Sequence, residues 1–488
     1  MFLGIDLGTS EVKLLLMAED GSIVGSAGEA LSVSRPQPLW SEQLPTDWWA
    51  ATEKAAARLR AEHAAAWGAI RGIGLSGQMH GAVTLDGDLQ PIRPAILWND
   101  GRCAAECDEL LKLVPDLHAR TGNLAMPGFT APKLLWMKHH EPALFARVAK
   151  VILPKDYLRL KLTGELANDM SDAAGTLWLD PAKRDWDDTL LAATGLSRAH
   201  MPRLVEGSDV SGTLLPAVAA AWGLPTSVVV AGGAGDNAAS AVGIGAVEPG
   251  QGFISLGTSG VMFLVTDAFR PNPGRAVHAF CHTLPQRWHQ MTVMLTAASA
   301  LAWVTKLLKA ENETALLAPL EAGEKVSAQS PIFLPYLSGE RTPHNDVHAR
   351  GMLFGLDASH GQTEVAHSVL EGVAFGMAQG LAALRDAGAT VSRLGLVGGG
   401  ARSAYWAQMH ADVLGVEIET FTGGAQGGAL GAARLGALAT GAKVADVCKA
   451  PPTARIFAPD ASKSAFYAPR LQRFDALYPR VKDLALTL

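Results

Sequence analysis

The sequence GIDLGTSEVKLLLM at residues 4–17 occurs again, little changed, as FISLGTSGVMFLVT at residues 253–266. Each copy predicts a strand, a tight Gly-Thr-Ser turn and a second strand, because apolar runs flank a turn that contains glycine. The copies differ at one informative position, where Asp6 of the first copy is replaced by Ser255 in the second. A chain that carries such a unit twice is expected to consist of two related halves.

The rest of the chain supports two α/β domains. Helical stretches follow the repeat in each half, at residues 46–66 and 363–388, and strands followed by helices are typical of an α/β architecture. At 488 residues the chain is longer than one ordinary core requires. We place the boundary at the Pro- and Gly-rich stretch GAVEPGQG, which gives an N-terminal domain at 1–245 and a C-terminal domain at 246–488.

Composition excludes several classes of function. Hydrophobic residues make up 48% of the chain and charged residues 18%, so a large core is expected and disorder is not. The net charge of −6 argues against nucleic acid as a partner. The longest uncharged stretch, residues 210–235, is divided by Pro216, Gly223 and Pro225, so we predict no membrane span. Only four cysteines occur, which is typical of a protein of the reducing cytoplasm.

The paired Gly-Thr-Ser turns are suited to phosphate. Backbone N–H groups in such turns bind phosphate oxygens, and two domains that face each other would aim both turns at one cleft. A magnesium ion that bridges phosphates needs an oxygen ligand from one side only. We therefore predict that Asp6 holds the metal, while the copy with Ser255 contacts phosphate alone. The chain has neither a Gly-Lys-Ser/Thr loop nor the His-Arg-Asp and Asp-Phe-Gly motifs of protein kinases.

A second Gly-rich turn, VVVAGGAGDNAASAVG, carries Asp236. Gly233, Gly235 and Ala238 fit a weak dinucleotide-binding pattern, but Asp236 inside the turn would repel a pyrophosphate, which argues against a dehydrogenase. Two interpretations stay open for Asp236. It is either a general base at a helix N-terminus, where it takes a proton from a hydroxyl group, or an ordinary helix cap.

Two more turns are candidate ligand contacts. Residues 398–400 are three glycines between a predicted strand and a helix that Ser403 opens. They would let adenine or its ribose approach the backbone closely, although a tight turn from strand to helix would need the same residues. In GLSGQMHGAVTLD, the trio Gln78, Met79 and His80 lies in a Gly-flanked turn after a strand, where α/β sheets place ligand contacts. A core histidine is the alternative for His80.

Two further polar stretches give weaker signals. The loop AILWNDGRC follows an apolar strand, and its polar side chains are expected to line the same pocket as the histidine turn. These residues are Trp98, Asn99, Asp100 and Arg102. The stretch HAFCH places two histidines and a cysteine at zinc-like spacing, but no second ligand pair stands nearby, so we predict no metal there.

Taken together, these motifs resemble those of the FGGY carbohydrate kinases, a branch of the actin, hexokinase and heat-shock-chaperone ATPase superfamily. IDLGTS is similar to the family's first phosphate motif, SLGTSG to the second and GGGARS to the adenosine motif. MPGFTAPKLLWMKHH and GMLFGLDASHGQTEVAHSVLEGV are similar to its two signature segments, so the resemblance covers nearly the whole chain. Within the family, SGQMHG, ILWNDGR, SDAAGTLWLD and PYLSGERTPHND are most similar to the bacterial xylulose kinases.

The resemblance implies a ribonuclease-H-like fold in each half, a central cleft and ATP-dependent phosphorylation of D-xylulose at its 5-hydroxyl, with Mg²⁺ as cofactor. It implies Asp236 as the general base and Asp6 as the carboxylate on the magnesium side. The residues implied to contact the sugar are Met79, His80, Asp236 and Asn237. Those implied to contact phosphate or adenosine are Thr9, Thr258, Gly399, Gly400 and Ser403.

Other functions stay open at this point. A sister kinase of the same fold, acting on another ketopentose, a polyol or a sugar acid, is the nearest alternative. A chaperone-like ATPase would need a peptide-binding segment, and a sugar-sensing regulator would need a helix-turn-helix extension; the sequence indicates neither. We expect a cytoplasmic enzyme without nucleic-acid or membrane partners, and the subfamily implies a homodimer.

Overall fold

The computed structural model describes residues 1–323, 326–422 and 427–485, which form two mixed seven-stranded sheets with helices packed against them. The strands of the first half are β1 (Phe2–Leu7), β2 (Glu11–Met17), β3 (Ile23–Ala30), β4 (Glu42–Gln43), β5 (Gly72–Gly77), β6 (Val83–Leu85), β7 (Ala95–Ile96), β8 (Lys150–Ile152), β9 (Ala167–Asp169), β10 (Leu179–Asp180), β11 (Asp185–Trp186), β12 (Arg203–Val205), β13 (Val210–Thr213), β14 (Val229–Ala231) and β15 (Ala234–Gly235). Those of the second half are β16 (Gly252–Leu256), β17 (Gly260–Thr266), β18 (His278–Cys281), β19 (Trp288–Met294), β20 (Ile332–Leu334), β21 (Met352–Phe354), β22 (Arg393–Val397), β23 (Glu417–Phe421) and β24 (Thr453–Phe457).

The helices alternate with these strands. Those of the first half are α1 (Pro45–Glu62), α2 (Ala64–Gly68), α3 (Ala104–Leu113), α4 (Leu117–Thr121), α5 (Thr130–His140), α6 (Pro142–Phe145), α7 (Pro154–Thr163), α8 (Met170–Ala173), α9 (Asp188–Ala193), α10 (Pro216–Trp222) and α11 (Asp236–Gly243). Those of the second half are α12 (Ala298–Leu307), α13 (Glu313–Glu321), α14 (Gln362–Asp386), α15 (Ala404–Leu414), α16 (Gly427–Ala439), α17 (Val444–Val447) and α18 (Ala461–Ala485).

The two large sheets share one plan. The first has the order β13-β14-β5-β1-β2-β3, with β15 also paired to β5. The second has the order β18-β19-β17-β16-β22-β23-β24. In both, an antiparallel hairpin (β1–β2 or β16–β17) continues into strands that run parallel to its first member. The predicted α/β class, with a strand–turn–strand unit at the start of each half, is confirmed.

The second half also packs on the first. α16 lies across β1 and β5, so closely that a Cβ at Gly74 would overlap the carbonyl oxygen of Ala432. α16 also packs against α11, where a Cβ at Gly431 would overlap the carbonyl oxygen of Ala239. The glycines therefore allow a helix that comes late in the sequence to pack on the first sheet. The first turn of this helix lies at the carboxyl ends of β1 and β5.

The predicted helical stretches are largely confirmed, with one correction. Residues 363–388 fall almost entirely within α14. Residues 46–66 form two helices, because His63, whose ring lies against Gly25 in β3, leaves the helical conformation between α1 and α2. The uncharged stretch 210–235 consists of β13, α10, β14 and β15. Within the described part of the chain, no helix combines the length and the apolar character that crossing a membrane requires.

Candidate active site

The first-half site lies at the carboxyl ends of three parallel strands. β1 and β15 both pair with β5, and in that register Ser76 lies opposite Asp6 on one side and Ala234 on the other. α11 begins directly after β15, so its first residue, Asp236, lies at the same edge of the sheet. Ligands of open α/β sheets bind outside the carboxyl ends of such strands, which makes this edge the candidate active site.

Asp6 is held between Ser76 and the start of α16. Ser76 Oγ donates a hydrogen bond of 2.7 Å to Asp6 Oδ1. Gly428 is the second residue of α16, and a Cβ there would lie 2.8 Å from both carboxylate oxygens of Asp6. Burial is the largest cause that raises the pKa of Asp6, and the hydrogen bond from Ser76 acts in the opposite direction. A nearby cation would therefore stabilise the ionised form of Asp6.

Asp236 is the second carboxylate of the site. Its Oδ1 accepts hydrogen bonds of 2.7 Å from the backbone N–H of Asn237 and 2.9 Å from the side-chain amide of Asn237. Burial raises the pKa of Asp236 to about 7, and the nearby charge of Asp6 adds to that rise. A carboxylate whose pKa lies near neutral pH is well suited to accept a proton from a hydroxyl group.

His80 is held in an unusual backbone conformation after β5. Its φ of +69° lies in the left-handed region, which residues with a side chain seldom adopt. The ring Nδ1 lies 2.6 Å from the carbonyl oxygen of Gly175. Burial lowers the pKa of His80 to about 3, so the ring is neutral at physiological pH. Because a carbonyl oxygen can only accept, Nδ1 carries the proton and Nε2 is left as an acceptor for a ligand hydroxyl.

Two glycines bring Met79 and His80 together with the helix that carries Asp236. A Cβ at Gly175 would lie 2.6 Å from His80 Nδ1 and 3.0 Å from Met79 Cε. A Cβ at Gly235, the residue before Asp236, would lie 2.8 Å from Met79 Cγ and Sδ. The four predicted sugar contacts therefore lie in one cluster at the strand ends.

Sequence reasoning misses Lys133, which supports the histidine turn from α5. Its Nζ donates hydrogen bonds of 2.9 Å to the carbonyl oxygen of His80 and 2.5 Å to that of Gly128. Thr130 Oγ1, on the same helix, also donates to the His80 carbonyl at 3.1 Å. Lys133 is fully buried, and burial lowers its pKa to about 7. The segment MPGFTAPKLLWMKHH contained this lysine, but nothing in its local pattern indicates which carbonyl groups the lysine binds.

The first Gly-Thr-Ser turn is hydrogen-bonded to two loops of the first half. Thr9 Oγ1 donates a hydrogen bond of 3.1 Å to Gln78 Oε1 and accepts one of 2.9 Å from Trp98 Nε1. The turn itself is closed by the backbone N–H of Gly8, which donates to the carbonyl of Glu11 at 2.9 Å. Trp98 thus stands beside the phosphate turn and the residue before Met79, with 47% of its surface exposed.

The expectation that Asp100 and Arg102 line this pocket is wrong. Arg102 Nη2 lies 2.7 Å from Asp100 Oδ2 and 2.8 Å from Glu42 Oε1. The Arg102 guanidinium also lies over the ring of Trp40, 3.6 Å from its centroid. The side chains of Asp100 and Arg102 are at most 1% exposed, and they contact each other, Glu42 and Trp40 rather than an open pocket. The buried carboxylate of Asp100 and the buried guanidinium of Arg102 pair with each other, and the loop sequence does not reveal that pairing.

The second Gly-Thr-Ser turn and the triple-glycine turn lie side by side in the second half. The carbonyl of Gly257 accepts a hydrogen bond of 2.8 Å from the backbone N–H of Ala298, at the start of α12, and the side chain of Thr258 is exposed. Gly398, directly after β22, has a φ of +90°, and a Cβ there would lie 2.7 Å from the carbonyl oxygen of Leu256. Only glycine fits this position, which sets the end of β22 against the end of β16.

A cavity of about 470 Å³ opens beside these two turns. Among the residues that line it are Ala298, Leu301, Leu317, Gly399, Gly400 and Ser403. Ser403 caps α15 by accepting a hydrogen bond of 3.3 Å from the backbone N–H of Trp406, and its hydroxyl donates to Glu321 Oε1 at 2.9 Å. The lining also includes Trp406 and the charged residues Glu313, Glu321 and Arg402. A pocket that combines apolar walls with polar groups fits an aromatic base joined to a sugar.

Metal ligands can be assessed only for residues 1–323, 326–422 and 427–485, and there no three His, Cys, Asp or Glu side chains are grouped to hold an ion. His278 and Cys281 lie on β18, and both side chains are buried. Magnesium bound together with substrate phosphates needs only one or two carboxylates, since water and phosphate oxygens complete its shell. Asp6 offers hard oxygen donors beside a second acid, Asp236, and so fits that requirement.

Comparison with known proteins gives consistent results over the whole chain. The model for the N-terminal domain of the FGGY family of carbohydrate kinases matches residues 1–243, and the model for its C-terminal domain matches residues 252–440. The xylulose kinase of Escherichia coli (strain K12) is 53% identical over 486 residues, covering 99% of this chain and 100% of that protein.

Solved structures agree in shape along the same length. The crystal structure of a xyloylose kinase from Brucella ovis has a TM-score of 0.95 at 52% identity, with 99% of each chain covered. The crystal structure of xylulose kinase from Rhodospirillum rubrum has a TM-score of 0.93 at 30% identity, again with 99% of each chain covered.

Proposed function

The chain belongs to the FGGY family of carbohydrate kinases, and we propose that it transfers the γ-phosphoryl group of ATP to the 5-hydroxyl of D-xylulose. The products are D-xylulose 5-phosphate and ADP. The choice of sugar is supported by the full-length similarity to proteins named xylulose kinase. The assignment of the site rests on one observation: Asp236, with a pKa raised to about 7, lies in one cluster with Met79 and His80 at the strand ends.

Asp236 is assigned as the general base. Asn237 holds Oδ1, and within the described chain Oδ2 has no hydrogen-bond partner, so Oδ2 is the oxygen that meets the sugar. The 5-hydroxyl donates to Oδ2, its oxygen attacks the γ-phosphorus in line, and the bond from that phosphorus to the bridging oxygen of ADP breaks. The hydroxyl proton passes to Asp236, which then releases it to solvent.

Met79, His80 and Asn237 are assigned to hold the sugar. His80 Nε2 accepts a hydrogen bond from a sugar hydroxyl, because Nδ1 is committed to Gly175. The Met79 side chain packs between Gly175 and Gly235 and gives the carbon skeleton an apolar wall. Fixed contacts of this kind place the reacting oxygen before the chemical step, and positioning of reactants is the largest contribution expected in phosphoryl transfer.

The phosphate chain is assigned to the two threonine turns. Phosphate oxygens are bound by the hydroxyl and backbone N–H groups of Thr9 and Thr258. Thr9 lies on the side of Asp6, and Thr258 lies beside the nucleotide cavity. Mg²⁺ is proposed as the metal, with Asp6 as its protein ligand; when bound, it offsets the negative charge of the β- and γ-phosphate oxygens. Thr9 must exchange its hydrogen bond with Gln78 for one with phosphate.

Adenosine is assigned to the cavity of about 470 Å³ in the second half. Gly399 and Gly400 present bare backbone to the base, and Ser403 presents its hydroxyl at the start of α15. Because Ala298 lines this cavity and its N–H is bonded to Gly257, the nucleotide in the cavity continues naturally onto the turn of Thr258.

Three further properties stay proposals. We place the domain boundary between residues 245 and 246, where α11 ends and the chain leads into β16. We propose a cytoplasmic location, which four buried free cysteines support. A homodimer is proposed on the resemblance to the subfamily alone.

The test is ADP release by the purified protein with Mg²⁺ and ATP, measured with D-xylulose, L-ribulose, L-fuculose, glycerol, gluconate and no sugar. A clear preference for D-xylulose is the expected result. Preference for another of these compounds would keep the mechanism and replace the substrate. ATP hydrolysis that is independent of sugar, or no ADP release at all, would contradict the proposal.

A further inference from the structure

Arg341 lies in a second-half loop whose backbone is fixed on both sides of it. Glu340 Oε1 accepts hydrogen bonds of 2.9 Å from the backbone N–H of Leu295 and 2.7 Å from that of Arg341. Thr342 N–H donates to the carbonyl of Val293 at 3.0 Å, and Val293 N–H donates to Thr342 Oγ1 at 3.1 Å. The loop is thereby joined to β19 and to the residue that follows β19. These bonds fix the backbone from which the Arg341 side chain extends.

The guanidinium of Arg341 has neither a hydrogen bond nor an ion pair with any residue in the described part of the chain, although Arg341 is only partly exposed. Two other interior arginines show the usual arrangement, in which the guanidinium donates to acceptor oxygens. Arg470 pairs with both oxygens of Glu371 at 2.5 and 2.6 Å, and Arg159 donates to the carbonyl of Ala231 at 2.7 Å. The negative charge of Glu340 acts on Arg341 without a close ion pair or a hydrogen bond to the guanidinium. A partly buried cation without a hydrogen-bonded partner is costly. Since a guanidinium can only donate, the missing partner is an acceptor oxygen.

The surroundings of Arg341 indicate which ligand supplies that oxygen. The rings of His80 and Phe129 have centroids 4.7 Å apart, those of Phe129 and His278 are 5.7 Å apart, and those of His278 and Phe280 are 5.5 Å apart. Burial lowers the pKa of both histidines, and the positive charge of Arg341 lowers them further, in agreement with the hydrogen bonds that hold its loop beside β18 and β19. His278 and Phe280 belong to β18, the neighbour of β19 to which the loop of Arg341 is bonded.

We propose that Arg341 binds the ketose from the second half, donating N–H groups to sugar oxygens at the end remote from the 5-hydroxyl. This inference rests on the proposed function and deepens it. His80 Nε2 accepts while Arg341 donates, and the two together match an α-hydroxy ketone, in which a hydroxyl donor stands next to a carbonyl acceptor. Arg341 therefore has a suitable acceptor in the carbonyl oxygen of a ketose, where a polyol offers only hydroxyl oxygens.

The proposal also links sugar binding to both halves of the chain. Asp236, Met79 and His80 come from the first half and Arg341 from the second, so the occupied pocket joins the two. A sugar without the second-half contact would be held only at its reacting end. Loss of Arg341 is therefore expected to weaken sugar binding while the contacts of the nucleotide stay intact.

The test compares Arg341→Gln and Arg341→Lys with Arg350→Gln as a matched control. Arg350 lies in the same loop, is exposed, and donates to the carbonyl of Val347 at 3.0 Å. Calorimetry without nucleotide gives the Kd for D-xylulose, and steady-state assays give KM for D-xylulose and for ATP. We expect Arg341→Gln to weaken D-xylulose binding about 10- to 100-fold, as for a lost hydrogen bond to a charged group, with KM for ATP unchanged. Arg341→Lys should retain part of the affinity, and Arg350→Gln should match the wild type.

Chemical rescue separates a direct contact from a structural role. In Arg341→Ala, added guanidinium chloride at millimolar concentration is expected to restore part of the D-xylulose affinity, whereas a merely misfolded loop would not respond. The proposal is overturned if Arg341→Gln keeps the wild-type Kd for D-xylulose, or if KM for ATP rises as much as KM for the sugar.

Failure of the proposed function would look different. If the wild type binds another ketose in place of D-xylulose, the same variants are compared on that ketose, and a Kd that does not change in Arg341→Gln still refutes the contact. If the wild type binds and phosphorylates D-xylulose and Arg341→Gln binds it with the same Kd, the proposed function stands and this inference is wrong. A wild type that binds none of the ketoses would contradict both.

Discussion

Gly175→Ala is expected to displace His80 and so to weaken sugar turnover while the fold is kept. A Cβ at Gly175 would lie 2.6 Å from His80 Nδ1 and 2.7 Å from His80 Cε1. Non-bonded atoms prefer separations of about 3.5 Å, so the imidazole must move by about 1 Å. That movement also disrupts the hydrogen bond of 2.6 Å between His80 and the Gly175 carbonyl. A misplacement of about 1 Å in a positioned group costs about 10²-fold in rate.

Gly274→Ala supplies the matched control. Gly175 and Gly274 are each the central residue of a short 3₁₀ turn, at Ala174–Thr176 and Pro273–Arg275, and neither needs a positive φ. A Cβ at Gly274 meets no atom within 4 Å. We expect Gly175→Ala to lower kcat/KM for D-xylulose about 10²-fold, with KM for ATP unchanged and a cooperative thermal transition, and Gly274→Ala to behave as the wild type. Wild-type kcat/KM in Gly175→Ala would refute the placement of His80 at the sugar.

Three further outcomes follow from the same site. kcat/KM for D-xylulose should fall about tenfold for each pH unit below about pH 7. The reason is that burial raises the pKa of Asp236 to about 7, and only the ionised carboxylate accepts a proton. A pH profile that is flat down to about pH 5 would argue against Asp236 as the base. Lys133→Met removes the donor to the His80 and Gly128 carbonyls. KM for D-xylulose should therefore rise about tenfold or more, while KM for ATP stays unchanged. Equal rises in both KM values would indicate a general loss of structure instead of a local effect on the histidine turn. Asp6→Asn should raise the Mg²⁺ concentration needed for half-maximal activity. It should also move the acid limb of the pH profile to lower pH, because the charge of Asp6 raises the pKa of Asp236. Activity titrated against Mg²⁺ at several pH values measures both changes, and the absence of either would contradict the role given to Asp6.

Local features of the fold could be read from the sequence. The two strand–turn–strand units are local, since each depends on apolar runs around one glycine turn, and they appear as β1–β2 and β16–β17. The position of α16 could not be predicted. Its composition, GGALGAARLGALA, indicates close packing, but the partner of that packing is the first sheet, far away in the sequence. The break at His63 was also missed, because it depends on a contact with Gly25 in a neighbouring strand.

The site shows the same division. The motifs that contain Asp6, His80 and Asp236 could be predicted, because each places a polar residue near the carboxyl end of a strand, beside a glycine turn. Gly175 could not be singled out, because its importance comes from the His80 ring, which lies 95 positions away along the chain. Arg341 was missed for a related reason: only the folded chain shows that its guanidinium lacks a partner within the described residues.

The assignment of Asp236 as general base is tested by replacing one of its carboxylate oxygens with an amide group. Asp236→Asn keeps the size of the side chain and its place at the start of α11, but cannot take up the hydroxyl proton. We expect ADP formation with D-xylulose to fall about 10²- to 10⁴-fold, the usual cost of losing a general base, while calorimetry shows D-xylulose and ATP still bound. Near-normal turnover of D-xylulose by Asp236→Asn would show that Asp236 is not the general base.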